Sequence, residues 1–118
     1  MPSEPTGKIA LAIIEARENV ALIRGWAAAQ ELEALKSDRK TRYAIERAFM
    51  MIDAAIRDIP EALLLEHQIP AKLIAGFRNA LVHTYDDILD ERVVLTIRED
   101  LPALDEALAQ MFARLGSA

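Results

Sequence analysis

Phe77-Arg78-Asn79-Ala80-Leu81-Val82-His83-Thr84-Tyr85 is the stretch from which the rest of this 118-residue chain is best read. At about 100° per residue, Ile74, Phe77 and Leu81 share one side of a helix, which predicts a helix from Ala71 to about Thr84 with Pro70 at its start. The apolar stripe accounts for Phe77 and Leu81 and leaves the polar residues unexplained. Asn79 and His83 are four apart and can touch on a face well away from the stripe. Arg78 and Tyr85 are seven apart and lie nearly in line beside it. On an ideal helix Arg78 and His83 diverge by about 140°, poor geometry for a joint site in one chain. Either the helix loosens towards the Asp86-Asp87 turn, or copies of these residues meet across a two-fold axis, where each patch faces its own copy.

These residue types suit metal-independent RNA cleavage. The 2′-hydroxyl must lose a proton, the 5′-oxygen leaving group must gain one, and charge gathers on the phosphoryl oxygens. Histidine exchanges protons near neutral pH, and arginine stays charged and grips phosphate through two parallel hydrogen bonds. His83 and Arg78 are therefore the catalytic candidates. Asn79 can orient His83 or contact RNA, and Tyr85 can stack on a base or donate to phosphate. DNA, which lacks the attacking hydroxyl, should resist. Taken alone, Arg-x4-His fixes only two residues. Most exposed histidines of helical proteins have no catalytic role, and Arg78 and Tyr85 have ordinary surface and packing readings.

Outward from this stretch the chain reads as helical throughout. Ile9, Ile13, Ala16, Val20, Ile23 and Ala27 predict one long helix from about Gly7 to Leu35. Ser37-Asp38 offers a turn and an N-cap. Tyr43, Ala44, Arg47, Ala48, Met51, Ile52, Ala55, Ile56 and Ile59 then carry a second helix to Pro60, which stops or interrupts it. Glu61–His67 forms a short third helix. Asp86–Asp90 is a loop, and Asp90 caps a last helix running to about Leu115, with a break or kink at Pro102. Val93–Ile97 is β-branched, but a lone strand would leave its ladder unpaired, so helix is expected there too. The chain carries no internal repeat and no linker that divides domains, so 1–118 reads as one all-α domain with a core from about 7 to 115.

Composition narrows the function classes. Four Gly, five Pro and 5% aromatic residues leave a core of aliphatic side chains, and a domain this small commonly completes its burial by oligomerising. With no cysteine, disulfides, thiol chemistry and cysteine-rich zinc sites are excluded. A net charge of -5 argues against a non-specific nucleic-acid coat, while leaving room for a local basic cleft. Met1–Pro5 shows no signal-peptide pattern, and the longest apolar runs (Ile9–Ile14, Ala62–Leu65) are too short for a bilayer. A cytoplasmic protein with no membrane partner is the expectation. Neither metal-ligand spacing nor a phosphate-binding loop is visible.

Arg78-Asn79-Ala80-Leu81-Val82-His83-Thr84-Tyr85 resembles the Arg-x4-His-x-Tyr signature of the HepT-like branch of the HEPN superfamily, in its "RN-x-LVH-x-Y" form. The resemblance continues upstream through Arg42-Tyr43-Ala44-Ile45-Glu46-Arg47-Ala48 and Gln68-Ile69-Pro70. Downstream it takes in Val94-x-Thr96-Ile97-x-x-Asp100-Leu101-Pro102-x-Leu104, and it covers about Leu11 to Leu115. It implies a HEPN-type antiparallel bundle of about four to five helices, dimeric, with two Arg-x4-His motifs in one cleft. It also implies an endoribonuclease toxin of a toxin–antitoxin pair. The antitoxin would be a minimal nucleotidyltransferase that silences the toxin by transferring AMP to Tyr85, where added negative charge beside Arg78 and His83 excludes RNA phosphate. ATP and a divalent metal belong to that partner; this chain needs no cofactor.

Some positions depart from the family pattern. Relatives often carry Glu-x-x-Gly-Glu where this chain has Met50-Met51-Ile52-Asp53-Ala54, with Asp53 a candidate substitute. Arg47 fits a supporting or RNA-contact role, or a surface salt bridge. His67 reads as helix-end polarity, and Asp86, Asp87, Asp90 and Glu91 read as a solvated turn and cap. The acidic balance and the altered stretch also motivate an alternative: a non-catalytic HEPN subunit that binds and supports a nucleotidyltransferase.

Overall fold

The computed structural model describes residues 4–69 and 96–117. Within them the protein is all-α: α1 (Glu4–Ala28), α2 (Leu32–Ser37), α3 (Arg39–Arg57), α4 (Glu61–Glu66), a π-helical turn (Thr96–Asp100) and α5 (Leu101–Ser117). The predicted helices at 71–84 and from Asp90 to 95 lie outside the described residues, as do Arg78, Asn79, His83, Tyr85 and the acidic residues 86–91.

On α1 the expected stripe is the buried one: Ile9, Ile13, Ala16, Val20 and Ile23 enter the core, and Ala27 packs partly against it. The single helix expected to reach Leu35 is instead two. α1 ends at Ala28, where the Ala29 N–H donates to the Trp26 carbonyl at 3.3 Å. Residues 29–31 are good helix formers, so nothing local demands the break. It follows from tertiary contacts: Gln30 Nε2 donates to Asp38 Oδ2 at 2.9 Å, and Leu35 on α2 is buried.

Asp38 is the N-cap foreseen for α3. Its Oδ1 accepts the Thr41 N–H at 3.1 Å, and its Oδ2 accepts the Thr41 hydroxyl at 2.6 Å. The Thr41 hydroxyl, then Gln30 and the Thr41 N–H, hold the carboxyl at a pKa of about 2, below its ordinary 3.8. This cap counters an unfavourable first turn, which carries Arg39 and Lys40 and no acid. Cations there oppose the helix dipole by roughly a few tenths of a kcal/mol each.

The buried face of α3 is Ile45, Ala48, Phe49, Ile52, Asp53, Ala55 and Ile56. Ala48, Ile52, Ala55, Ile56 and Ile59 of the predicted stripe are buried, but its N-terminal part is rotated: Tyr43 and Arg47 are exposed, and Ile45 and Phe49 are fully buried. The helix also stops three residues short of Pro60, at Arg57, with Asp58 as C-cap. Proline disfavours helical backbone at the residue before it, here Ile59, which turns into the core instead. Pro60 then sits at the N-cap of α4.

α4 stops through a left-handed residue, Gln68, at φ 58. Its N–H donates to the Leu65 carbonyl at 3.1 Å, and the Ile69 N–H to the Leu64 carbonyl at 2.8 Å. This double bond pattern closes a helix end, and the buried pair Leu64 and Ile69 belongs to the same core. His67 is the C-cap, a helix-end position as expected.

Thr96 and Ile97 are helical rather than extended, and the break expected at Pro102 appears as the π-helical turn just before it. Proline has no N–H for the ladder, and its ring crowds the carbonyl four residues back; a wider turn relieves both. Leu101, Leu104, Leu108 and Met111 then face the core from α5.

α1 is the common partner, packing mostly on α3 and next on α5. Side-chain contacts mark the directions. Lys8 Nζ lies 3.9 Å from Asp58 Oδ1, while Gln30 bonds Asp38, so α1 and α3 run antiparallel. Arg17 Nε meets Asp105 Oδ1 at 2.9 Å between α1 and α5, and Arg114 Nη1 meets Glu66 Oε1 at 3.4 Å between α5 and α4.

Candidate active site

Of the residues read as chemical, the structure describes Arg47, Asp53 and His67. Arg47 stands exposed on α3, turned away from the buried Ile45, Phe49 and Ile52. Among the described residues it has no ion-pair partner. Arg39 and Lys40, on the preceding turns, are also exposed and form no ion pair among the described residues. Between them and Arg47 stands Tyr43, an aromatic ring left 59% exposed. This cation-and-aromatic face was missed in the sequence because Tyr43 was assigned to the apolar stripe. Its signal was there: Ile45 and Phe49 define a stripe rotated away from Tyr43.

Arg42, one residue before, is half-buried, and its Nε is shielded from water with no hydrogen-bond acceptor. An unmet buried donor costs about 1–3 kcal/mol, which packing of the arginine's aliphatic stem can offset.

The Met50–Ala54 stretch is built into the bundle. Ile52 is fully buried, and Met51 lines a groove between α1 and α3 with Leu11, Ile14 and Ala54. Asp53 is only 5% exposed, and its Oδ2 lies 3.1 Å from Arg57 Nη2 on the next turn. Its carboxylate is thus buried with a cation of its own helix as one of its partners.

A second group of arginines appears only in three dimensions. Arg24 at the end of α1 and Arg98 in the π-helical turn line one cleft of about 570 Å³, with Gln30, Glu31, Ile97 and Pro102. They are 74 positions apart in sequence, and no local pattern joins them. Among the described residues no three His, Cys, Asp or Glu side chains gather as a metal site, and no helix is long and apolar enough to cross a membrane.

A small antiparallel all-α bundle with a buried aliphatic core and an exposed cationic face is the class of protein that these elements define. The chain belongs to the Ribonuclease HepT-like family, whose model matches residues 16–111. It is also similar to a protein described as "Probable ribonuclease HepT" from Thermococcus cleftensis, with 38% identity over 69 residues. That alignment covers 57% of this chain and 62% of the relative, so the chain spans less than two thirds of the relative it matches. No solved structure matches the chain. The matched range takes in Arg78 to Tyr85.

Proposed function

We propose that the chain is a metal-independent endoribonuclease, a toxin whose working site is composed at a homodimer interface from Arg78 and His83 of both copies. The observation that carries this reading is the Arg78-x4-His83-x-Tyr85 frame inside a ribonuclease-family match of residues 16–111. In such a cleft one His83 takes the proton of the RNA 2′-hydroxyl. That oxygen attacks the adjacent phosphorus, and the second His83 protonates the departing 5′-oxygen. The Arg78 guanidiniums hold the phosphoryl oxygens as charge builds on them. The products are a 2′,3′-cyclic phosphate and a free 5′-hydroxyl, and DNA is not a substrate. Asn79 orients His83.

Control is assigned to Tyr85. A minimal nucleotidyltransferase antitoxin, with its own ATP and divalent metal, joins the tyrosine oxygen to the α-phosphorus and releases pyrophosphate. The phosphodiester so formed places negative charge beside Arg78 and His83 and occludes RNA.

A second reading has an observation of its own. Ile52 is fully buried, and Asp53 stands where relatives often carry Glu-x-x-Gly-Glu. This supports a non-catalytic HEPN subunit that binds and steadies the nucleotidyltransferase. Incubating purified protein with mixed tRNA and mRNA in EDTA separates the two, with His83→Ala prepared identically. Fragments made only by the unaltered protein are expected. Equal traces, with mass measurement showing Tyr85 free of AMP, would move the assignment to the supporting subunit.

A further inference from the structure

We propose that the exposed face of α3 carrying Lys40, Tyr43 and Arg47 is a binding platform for single-stranded RNA. A base stacks on Tyr43, and the flanking phosphates lie against Lys40 and Arg47. This rests on the ribonuclease reading and assigns part of its substrate contact to residues outside the signature.

Position comes first. On a helix, residues 40, 43 and 47 fall within about 60° of one another and span about 10 Å along the axis. That places one aromatic ring between two cations on a single face, opposite the buried Ile45, Phe49 and Ile52.

Exposure is the second point. Phe49 is fully buried and Trp26 packs partly against the core, whereas Tyr43 leaves 59% of its surface in water. No hydrogen bond ties it down among the described residues. A rigid ring that contributes little to the core suits base stacking, because every base has a π-face.

Charge is the third. Residues 36–47 hold five cations and two carboxylates in a chain whose net charge is -5. One of the two carboxylates, Asp38, is occupied by Thr41 and Gln30. Lys8, Arg17, Lys36, Arg57 and Arg114 each pair with a carboxylate. Among the described residues Lys40 and Arg47 form no such pair, Lys40 only adding a weak pull on Asp38 from a distance, so their charge is left for phosphate. Glu46, half-buried, lies on the far side of Tyr43 from Lys40 and Arg47, at the edge of the face.

The test uses the full chain carrying His83→Ala, so that RNA is bound without being cut. The probe is a fluorescein-labelled 12-nucleotide single-stranded RNA, followed by anisotropy across a range of salt concentrations. Tyr43→Ala should weaken binding roughly tenfold, and Tyr43→Phe, which keeps the ring, should stay within about twofold. Lys40→Gln with Arg47→Gln should weaken binding and reduce the slope of log affinity against log salt by roughly 1.4. Circular dichroism melting confirms the fold of each variant. Binding by the parent that none of these changes alters would overturn this platform and leave the ribonuclease reading standing. Absence of RNA binding by the parent would overturn both.

Discussion

Asp38 accepts hydrogen bonds on both carboxylate oxygens, and that doubling separates it from an ordinary helix cap. Thr41 supplies its N–H and its hydroxyl, and Gln30 reaches in from the link between α1 and α2. One residue therefore starts α3 and also fixes how α2 is joined to it. Because these donors favour the ionised form, the folded pKa of about 2 lies below the ordinary 3.8. The contribution to stability is complete above the unfolded value and is lost as pH falls through it towards the folded one. Urea midpoints of the parent and Asp38→Ala should thus differ by a constant gap from pH 5 to 7. The gap should narrow below about pH 4. A gap that stays flat down to pH 2 would show that the negative charge contributes nothing. Arg42 differs: its buried Nε has no hydrogen-bond partner among the described residues, in a segment whose neighbours Lys40, Tyr43 and Arg47 face water.

Among the elements, α4 shows how a six-residue helix is given a definite end. Its two closing bonds require a left-handed residue, and Gln68 occupies that conformation with φ 58. A side chain there meets steric strain that glycine avoids, although glycine also adds freedom to the unfolded chain. Gln68→Gly should therefore raise unfolding stability by roughly 0.5–1 kcal/mol, measured by urea denaturation. A loss of stability would mean that the Gln68 side chain makes a contact of its own. α1 presents a different case, since its outward side carries Leu11 and Leu22 while Ile13, Val20 and Ile23 fill the core on the other. A helix apolar on both sides is normally covered on both sides.

For the whole molecule, that outward side of α1 supports the homodimer on which the proposed composite site depends. Leu11 is 68% exposed and Leu22 48%, on a surface that a second copy would cover. The bundle measures 46 × 24 × 21 Å, with a radius of gyration of 14.8 Å, against about 13.5 Å for a compact chain of this length. Light scattering should give about twice the chain mass of 13.1 kDa. Leu11→Lys with Leu22→Lys should give the single mass with helicity retained, and RNA cleavage should fall with the dimer. A double variant that remains dimeric would place the two-fold axis on another face.

The all-α class, the inner stripe of α1, the Asp38 cap and the disturbance at Pro102 were legible from the residues alone. Each of these depends on residues within a few positions of one another, where helical periodicity, capping chemistry and the missing proline N–H act locally. The catalytic candidates Arg78 and His83 were also legible there, as a linear pattern rather than as a geometry. Only the tertiary structure decided the break between α1 and α2, which depends on Gln30 reaching Asp38, and the rotation of α3 that buries Ile45 and Phe49 and exposes Tyr43. The same holds for the joining of Arg24 to Arg98 in one cleft. These outcomes turn on which partner each helix face meets, and a pattern read along one helix does not contain the surface of another.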